Sequence, residues 1–293
     1  MSEGRRDRGG EGALAVLGAG TMGHGIAQVA AMAGLATRLF DVDGAALATA
    51  LARIEANLDT GIERGKVAPD RKDATLAALS VHTDLEEATG GVGIVIEAVP
   101  ERLELKRSLL SRSAETAAAE AMLATNTSSL SIARIAEAVP APERVIGMHF
   151  FNPVHIMALV EIVRGPETSE ATVERARALA GRFDKTPIVV RDSPGFASSR
   201  LGIAFGLEAI RMVEEGVASP EDIDTAMTLG YRHPMGPLRL TDLVGLDVRL
   251  DIARHLHREL GSSRFEPPAL LERMVEEGKL GKKTGEGFYT WEE

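Results

Sequence analysis

Residues 14–25 read LAVLGAGTMGHG, and this stretch constrains the fold more than any other part of the chain. A short apolar run enters a turn with G-x-G-x-x-G spacing, and an apolar, helix-like segment follows at once. Strand, glycine turn and helix start together are typical of a dinucleotide site, where phosphates bind free N–H groups at the helix N-terminus. The cofactor-binding residues predicted in this turn are Gly18, Gly20, Thr21, Met22 and Gly23.

A second apolar run, residues 36–40, ends in Asp41. A carboxylate about 20 residues beyond such a turn accepts a hydrogen bond from the ribose 2′-hydroxyl of the cofactor. It would repel the 2′-phosphate of NADP, so the sequence favours NAD. The alternative is a glycine loop that merely connects strand and helix, and the strand, helix and acid together argue against it.

The composition is that of a globular chain of 293 residues, enough for about two domains. A formal charge of −10 argues against binding to nucleic acid or to an anionic membrane. The chain has no cysteine and no metal-binding motif, so no metal is expected. It also lacks a run of about 18 apolar residues. Residues 1–12 are charged and glycine-rich, which predicts a disordered tail rather than a signal peptide, and a cytoplasmic protein.

Two domains follow from the pattern along the chain. Residues 13–191 alternate short β-like runs with helical segments, which predicts an α/β, Rossmann-type domain with a parallel sheet. Residues 192–293 read as a smaller all-α domain, with helices at about 241–260 and 267–278. A helix at 200–215 is apolar almost all round and is expected to be buried. We expect this domain to bind substrate and to bury part of that helix in a homodimer.

His149 and Glu161 are the strongest candidates for catalysis. His149 ends one predicted strand, and Glu161 lies in the next, so a hairpin-like return would bring their side chains together. A carboxylate beside an imidazole fixes its tautomer, which is the arrangement of a general acid–base histidine. The alternative is an ordinary hydrogen-bonded histidine and a solvated glutamate, and a neighbouring nicotinamide site favours the catalytic interpretation.

Other polar residues gather where predicted strands end. The run TNTSSL at 125–130 offers hydroxyls that could meet a substrate or cap the next helix. Glu101 and Lys106 form either a solvated charged pair or contacts to the ribose and nicotinamide side of the cofactor. Asn152, before Pro153, could equally be a plain turn residue.

Together these segments resemble the L-3-hydroxyacyl-CoA dehydrogenase family, which includes the 3-hydroxybutyryl-CoA dehydrogenases. The resemblance spans about residue 13 to the C-terminus and rests on LGAGTMGHGIA, IEAVPERLELK, NTSSL, GMHFFNPVHIMALVEIV, DSPGFASSRL and GKKTGEGFY. It implies reversible, NAD-dependent oxidation of a (3S)-3-hydroxyacyl-CoA, with 3-hydroxybutyryl-CoA as the expected substrate and fatty acid metabolism as the setting. No metal or covalent nucleophile is needed for such a reaction.

The resemblance also implies roles for individual residues. His149 would take the hydroxyl proton, Glu161 would orient His149, and Ser128 would hydrogen-bond the reacting oxygen beside the cofactor. The remaining matches hold the riboses and nicotinamide end of the cofactor, and they are Asp41, Glu101, Lys106 and Asn152.

One position departs from the family pattern P-G-F-x-x-N-R. Ser199 stands where the family has an asparagine that contacts substrate, so the substrate-side hydrogen bond and the preferred acyl chain are open. Arg53 and Lys66 are candidates for the phosphates of CoA, or else lie on solvated helix faces. Two alternatives therefore stay open, namely a dehydrogenase of a non-CoA 3-hydroxy acid such as a sugar acid, and a cofactor-binding structural protein without turnover.

Overall fold

The structure, a computed structural model, describes residues 12–292. The predicted disordered tail therefore lies outside the described residues, apart from Gly12. The chain divides into two compact units between Ser193 and Pro194, two residues beyond the boundary that the sequence suggests. Asp192 remains with the first unit because its carboxylate accepts hydrogen bonds from Ser131 Oγ and Ala133 N.

The first unit is built on one sheet of eight strands in the order β3-β2-β1-β4-β5-β6-β7-β8. The strands are β1 (Leu14–Leu17), β2 (Thr37–Phe40), β3 (Leu79–His82), β4 (Ile94–Glu97), β5 (Met122–Thr125), β6 (Val145–Phe150), β7 (Leu159–Arg164) and β8 (Thr186–Arg191). Every neighbouring pair is parallel except β6 and β7, which are antiparallel. The sequence did not predict β3, an edge strand with no buried residue.

Helices connect these strands. They are α1 (Gly23–Met32), α2 (Gly44–Glu63), α3 (Pro69–Ala77), α4 (Leu85–Thr89), α5 (Leu103–Thr116), α6 (Ile132–Ala136) and α7 (Glu170–Arg182), with a 3₁₀ turn at Pro142–Arg144. Four of them begin at a side chain that accepts a hydrogen bond from the first turn, as N-cap residues do. These caps are Asp43, Asp84, Ser131 and Ser169.

The core of the first unit lies on the sheet. All four residues of β1 are fully buried, as are Ile94, Val95 and Ile96 of β4. Such continuous apolar strands are expected where helices cover both faces of a parallel sheet. The predicted α/β, Rossmann-type domain is confirmed.

The second unit is helical and has its own core, which confirms the predicted all-α domain. Its helices are α8 (Ser198–Glu214), α9 (Pro220–Thr225), α10 (Pro237–Val244), α11 (Leu246–Leu260) and α12 (Ala269–Glu276). Shorter helical turns lie at Ala226–Gly230, Ser263–Phe265 and Lys282–Thr284.

One helix prediction is wrong in detail, and the expected burial of another is met in part. The helix expected at about 241–260 is interrupted at Gly245, whose φ of +102° is incompatible with a continuous α-helix. The helix expected to be buried is α8, and within a single chain only one side of it is buried. Ile203, Leu207 and Ile210 pack into the core, whereas Leu201 is 71 % exposed.

Candidate active site

The carboxyl ends of four adjacent strands form one edge of the sheet. β1, β4, β5 and β6 are mutually parallel neighbours, so the segments that follow them emerge side by side. In open α/β sheets, ligands bind beyond this edge. The glycine turn follows β1, Glu97 ends β4, the serine run follows β5, and His149 lies near the end of β6.

A cavity of about 580 Å³ lies at the glycine turn. Five predicted cofactor residues line it, namely Gly18, Gly20, Thr21, Met22 and Asp41. Most of the other lining side chains are apolar, including Phe40, Val42, Val99, Leu105 and Leu109. A mainly apolar cleft with few polar groups suits the adenosine half of a dinucleotide.

The backbone of the turn also fits a bound pyrophosphate. A Cβ atom built on Gly20 would meet no protein atom within 4 Å, so packing of the protein does not explain this glycine. The close approach of a ligand does explain it. Asp41 is held beside the turn, since its Oδ2 accepts from Ala19 N at 2.8 Å and its Oδ1 from Asp43 N at 3.1 Å. The chain therefore offers a cradle for the phosphates and a placed carboxylate for the ribose.

His149 and Glu161 face each other across the one antiparallel pair of strands in the sheet. They are direct partners in the β6–β7 register, so both side chains lie on the same face. His149 Nδ1 lies 2.8 Å from Glu161 Oε2, with the two residues 7 % and 0 % exposed. An ionised carboxylate only accepts hydrogen bonds, so Nδ1 carries the hydrogen and Nε2 is the basic nitrogen. This arrangement can exchange a proton with a bound substrate.

Glu101 organises the serine run that follows β5. Its Oε1 accepts from Thr127 Oγ1 at 2.6 Å and from Ser128 N at 2.9 Å, and Ser128 Oγ lies 3.3 Å away. Burial raises the pKa of Glu101, but the positive charge of Lys106 and the hydrogen bonds from Thr127 and Ser128 outweigh it and lower the pKa below its usual value. The carboxylate is thus ionised at neutral pH and fixes the position of Ser128.

Beneath Glu101 lies a buried ion pair, of which the sequence assigned Lys106 but not Glu97 to the site. Glu97 is fully buried, and its Oε1 lies 2.8 Å from Nζ of Lys106. Lys106 is itself only 1 % exposed. Burial raises the pKa of Glu97, against the attraction of Lys106. The position of Glu97 at the end of β4 was the only sequence signal for it, and Thr127 gave no signal beyond its place in the run.

The other predicted site residues are placed as follows. Asn152 is exposed on the loop between β6 and β7. Arg53 lies on the exposed side of α2, and Lys66 is exposed in the loop after it. Ser199 is the second residue of α8, in the second unit. The cap of α6 is Ser131, so the helix-capping interpretation does not hold for Thr127 or Ser129.

Within residues 12–292, no group of three or more histidine, cysteine, aspartate or glutamate side chains could hold a metal ion. In the same part of the chain, none of the helices combines the length and apolar character needed to cross a membrane.

Comparison with known families gives a consistent result for both units. Residues 13–193 match the family described as 3-hydroxyacyl-CoA dehydrogenase, NAD binding domain. Residues 195–291 match the C-terminal domain of the same dehydrogenases.

Individual relatives match over nearly the whole chain. A probable 3-hydroxybutyryl-CoA dehydrogenase of Bacillus subtilis is 45 % identical over 96 % of this chain and 97 % of its own length. A 3-hydroxyadipyl-CoA dehydrogenase of Escherichia coli is 42 % identical over 95 % of this chain, which corresponds to 58 % of that protein. The crystal structure of a (S)-3-hydroxybutyryl-CoA dehydrogenase from Ralstonia eutropha has a TM-score of 0.92 at 40 % identity, covering 96 % of this chain and 99 % of that one.

Proposed function

Since the chain belongs to the 3-hydroxyacyl-CoA dehydrogenase family, we propose that it oxidises the 3-hydroxyl group of a (3S)-3-hydroxyacyl-CoA to the ketone, reversibly. The protein is an NAD-dependent oxidoreductase. The observation that carries the assignment is the buried hydrogen bond of 2.8 Å between His149 and Glu161, at the same sheet edge as the dinucleotide cradle.

The proposed chemistry divides the work between cofactor and protein. Bound NAD supplies the acceptor for the hydride that leaves the substrate carbon. His149 Nε2 takes the hydroxyl proton as the ketone forms, and returns it in the reverse reaction. Glu161 holds the imidazole in the tautomer that leaves Nε2 basic and balances the imidazolium charge once the proton has arrived.

We assign the remaining roles to the residues around this pair. Ser128 hydrogen-bonds the reacting oxygen, and Asn152, on the loop after β6, contacts the nicotinamide end of the cofactor. Ser199 is the candidate for a hydrogen bond to the substrate. The glycine turn holds the pyrophosphate, while Asp41 and Glu101 accept hydrogen bonds from the two riboses. Arg53 and Lys66, both exposed cations, are proposed contacts for the phosphates of CoA.

The reaction is tested by following NADH absorbance with purified protein and acetoacetyl-CoA. Rapid loss of absorbance supports the assignment. Absence of turnover despite NADH binding would contradict it and point to a 3-hydroxy acid without CoA. Acetoacetate without CoA is the matched control for the thioester requirement.

A short acyl chain is the proposed substrate preference, with 3-hydroxybutyryl-CoA first. Relatives of similar identity are named for both 3-hydroxybutyryl-CoA and 3-hydroxyadipyl-CoA, so identity alone does not choose between them. Comparing kcat/KM for these two thioesters tests the preference. We also propose a cytoplasmic enzyme of fatty acid metabolism, because its substrate is an acyl-CoA and the chain has no cysteine to pair in an oxidising compartment.

We expect Asp41→Asn to weaken the preference for NADH over NADPH by about tenfold or more, which corresponds to about 1.4 kcal/mol. The substitution removes the negative charge that faces a 2′-phosphate and keeps the size of the side chain. Dissociation constants from nicotinamide fluorescence measure the ratio. Asp43→Asn, at the N-cap of α2, is the matched control. An unchanged ratio in Asp41→Asn would assign the discrimination to other residues.

We propose a homodimer formed through the second unit. Several large apolar side chains on this unit are exposed to solvent, which is unusual unless a partner covers them. They are Leu201, Leu229, Tyr231, Leu240, Leu243, Val244 and Val248. Light scattering at micromolar concentration is expected to give the mass of two chains and, for Leu201→Glu, a shift toward one chain. Val81→Glu, which places the same charge on the first unit, is expected to leave the mass unchanged. A single-chain mass for the unaltered protein would refute the dimer.

A further inference from the structure

We propose that Glu97 is a positioning residue for the dehydrogenase reaction, acting through Lys106 on Glu101 and, through Glu101, on Ser128. This inference rests on the proposed function, because it assigns Glu101 to the ribose of the cofactor and Ser128 to the reacting oxygen. Glu97 itself touches neither ligand, since its side chain is fully buried.

Glu97 is held rigidly at the end of β4. Its Oε1 accepts from Val99 N at 2.7 Å and from Lys106 Nζ at 2.8 Å. Its Oε2 accepts from Thr125 Oγ1 at 2.7 Å. A buried carboxylate is tolerated when it is paired and hydrogen-bonded in this way. The three donors come from the segment after β4, from α5 and from β5, so Glu97 fixes its neighbours relative to the centre of the sheet.

Lys106 links Glu97 to Glu101 through its ammonium group. An ammonium group has three N–H donors. Three oxygens lie around Nζ, namely Glu97 Oε1 at 2.8 Å, Val99 O at 3.1 Å and Glu101 Oε2 at 3.2 Å. The residue is 1 % exposed, so the ammonium group is held among these oxygens inside the protein. The geometry therefore couples Lys106 to both carboxylates, so a change at Glu97 reaches Glu101 through it.

Glu101 carries the effect to the surface of the site. Its Oε2 is the partner of buried Lys106, and its Oε1 receives hydrogen bonds from Thr127 and Ser128. The carboxylate of Glu101 thus joins the buried ion pair to the loop that contains Ser128. If the lysine shifts, the carboxylate and the loop must shift with it.

The charges explain why Glu97 matters to Glu101. With Glu97 ionised, the charge of Lys106 is balanced within the protein, and Glu101 keeps its own negative charge for donors on the surface side. With Glu97 neutral, the buried ammonium has Glu101 as its one carboxylate partner within the hydrogen-bonded group. Low local dielectric strengthens that attraction, so Glu101 is drawn inward and becomes a poorer acceptor for ribose.

We expect Glu97→Gln to raise the dissociation constant for NADH by about tenfold, measured by nicotinamide fluorescence in the absence of acyl-CoA. Glutamine keeps the shape of the side chain and one acceptor oxygen but leaves Lys106 without its buried counter-charge, so we expect a lower melting temperature, which a thermal melt measures. Turnover at saturating NADH is expected to fall as well, because Ser128 is displaced. NADH affinity within about twofold of the unaltered protein would overturn the proposal.

A double substitution distinguishes the proposed positioning role of Glu97 from a purely structural role of the ion pair. Replacing both members of a buried ion pair is often neutral for stability. Glu97→Gln with Lys106→Met is therefore expected to restore the melting temperature without restoring NADH affinity. Recovery of both would assign the pair to stability alone and overturn the proposal.

Thr125→Val is the matched control. It perturbs the same buried carboxylate by removing one hydroxyl donor, but leaves both charges in place. NADH affinity within about twofold is expected for it. Because NADH affinity and melting temperature are measured without acyl-CoA, failure of the inference is distinct from failure of the proposed function, which the acetoacetyl-CoA assay tests.

Discussion

His149→Gln is expected to lower kcat by about three to four orders of magnitude, at the upper end of what a general acid–base side chain contributes. Glutamine fills much of the same volume and can still hydrogen-bond Glu161, but it cannot accept the hydroxyl proton. His149 Nδ1 lies 2.8 Å from the fully buried carboxylate of Glu161. Once the imidazole is replaced, this pair no longer contains a basic nitrogen. Stopped-flow or steady-state assays with acetoacetyl-CoA and NADH measure kcat.

The interpretation depends on intact cofactor binding. NADH affinity of His149→Gln should stay within about twofold, since the glycine turn and Asp41 are untouched. Glu161→Gln is also expected to lower kcat, by about a hundredfold or more, because an amide in place of the carboxylate disturbs the tautomer of His149 and the charge balance. His82→Gln, on edge strand β3, is the control histidine and should retain full activity. Retention of a tenth or more of the activity in His149→Gln would exclude His149 as the base.

Much of the fold could be predicted because its elements are encoded locally. The apolar runs that became β1, β4 and β5 are short, continuous and bounded by turns, as strands of a buried parallel sheet are. β3 could not be predicted, since an edge strand of four residues with none buried carries no such run. The sequence did not predict the interruption at Gly245, because helix-like sequence on both sides of a single glycine predicts one continuous helix.

The site, like the fold, has parts that the sequence predicts and parts that it does not. The glycine turn and the acid after β2 form a local motif with fixed spacing, so the sequence predicts them together. The antiparallel register that sets His149 opposite Glu161 was accessible too, because a return over 12 residues is short. Glu97 could not be assigned, since its importance comes from burial and from partners 9 and 28 residues away. Networks of buried charge have no sequence periodicity, so the structure is needed to find them.

Gly23→Ala is expected to destabilise the first unit severely, by about 3 kcal/mol or more. A Cβ at this position would lie 1.7 Å from the carbonyl oxygen of Gly18 and 2.8 Å from its carbonyl carbon. Both atoms are backbone in a turn between β1 and α1, so neither can move aside without opening the turn. The melting temperature of the purified variant should be about 10 °C lower, if the protein is recovered folded at all.

Gly20→Ala, three residues earlier in the same turn, is the matched variant that separates packing from ligand binding. Its Cβ would meet no protein atom within 4 Å, so the melting temperature should change by no more than about 1 °C. The same methyl group would stand where the pyrophosphate approaches the backbone, and NADH affinity should fall by about tenfold or more. Normal NADH binding by a stable Gly20→Ala variant would contradict the proposed position of the pyrophosphate, whereas a stable Gly23→Ala variant would contradict the tight turn itself. The pair therefore assigns one glycine of the motif to the fold and the other to the cofactor, which the spacing of the motif alone cannot do.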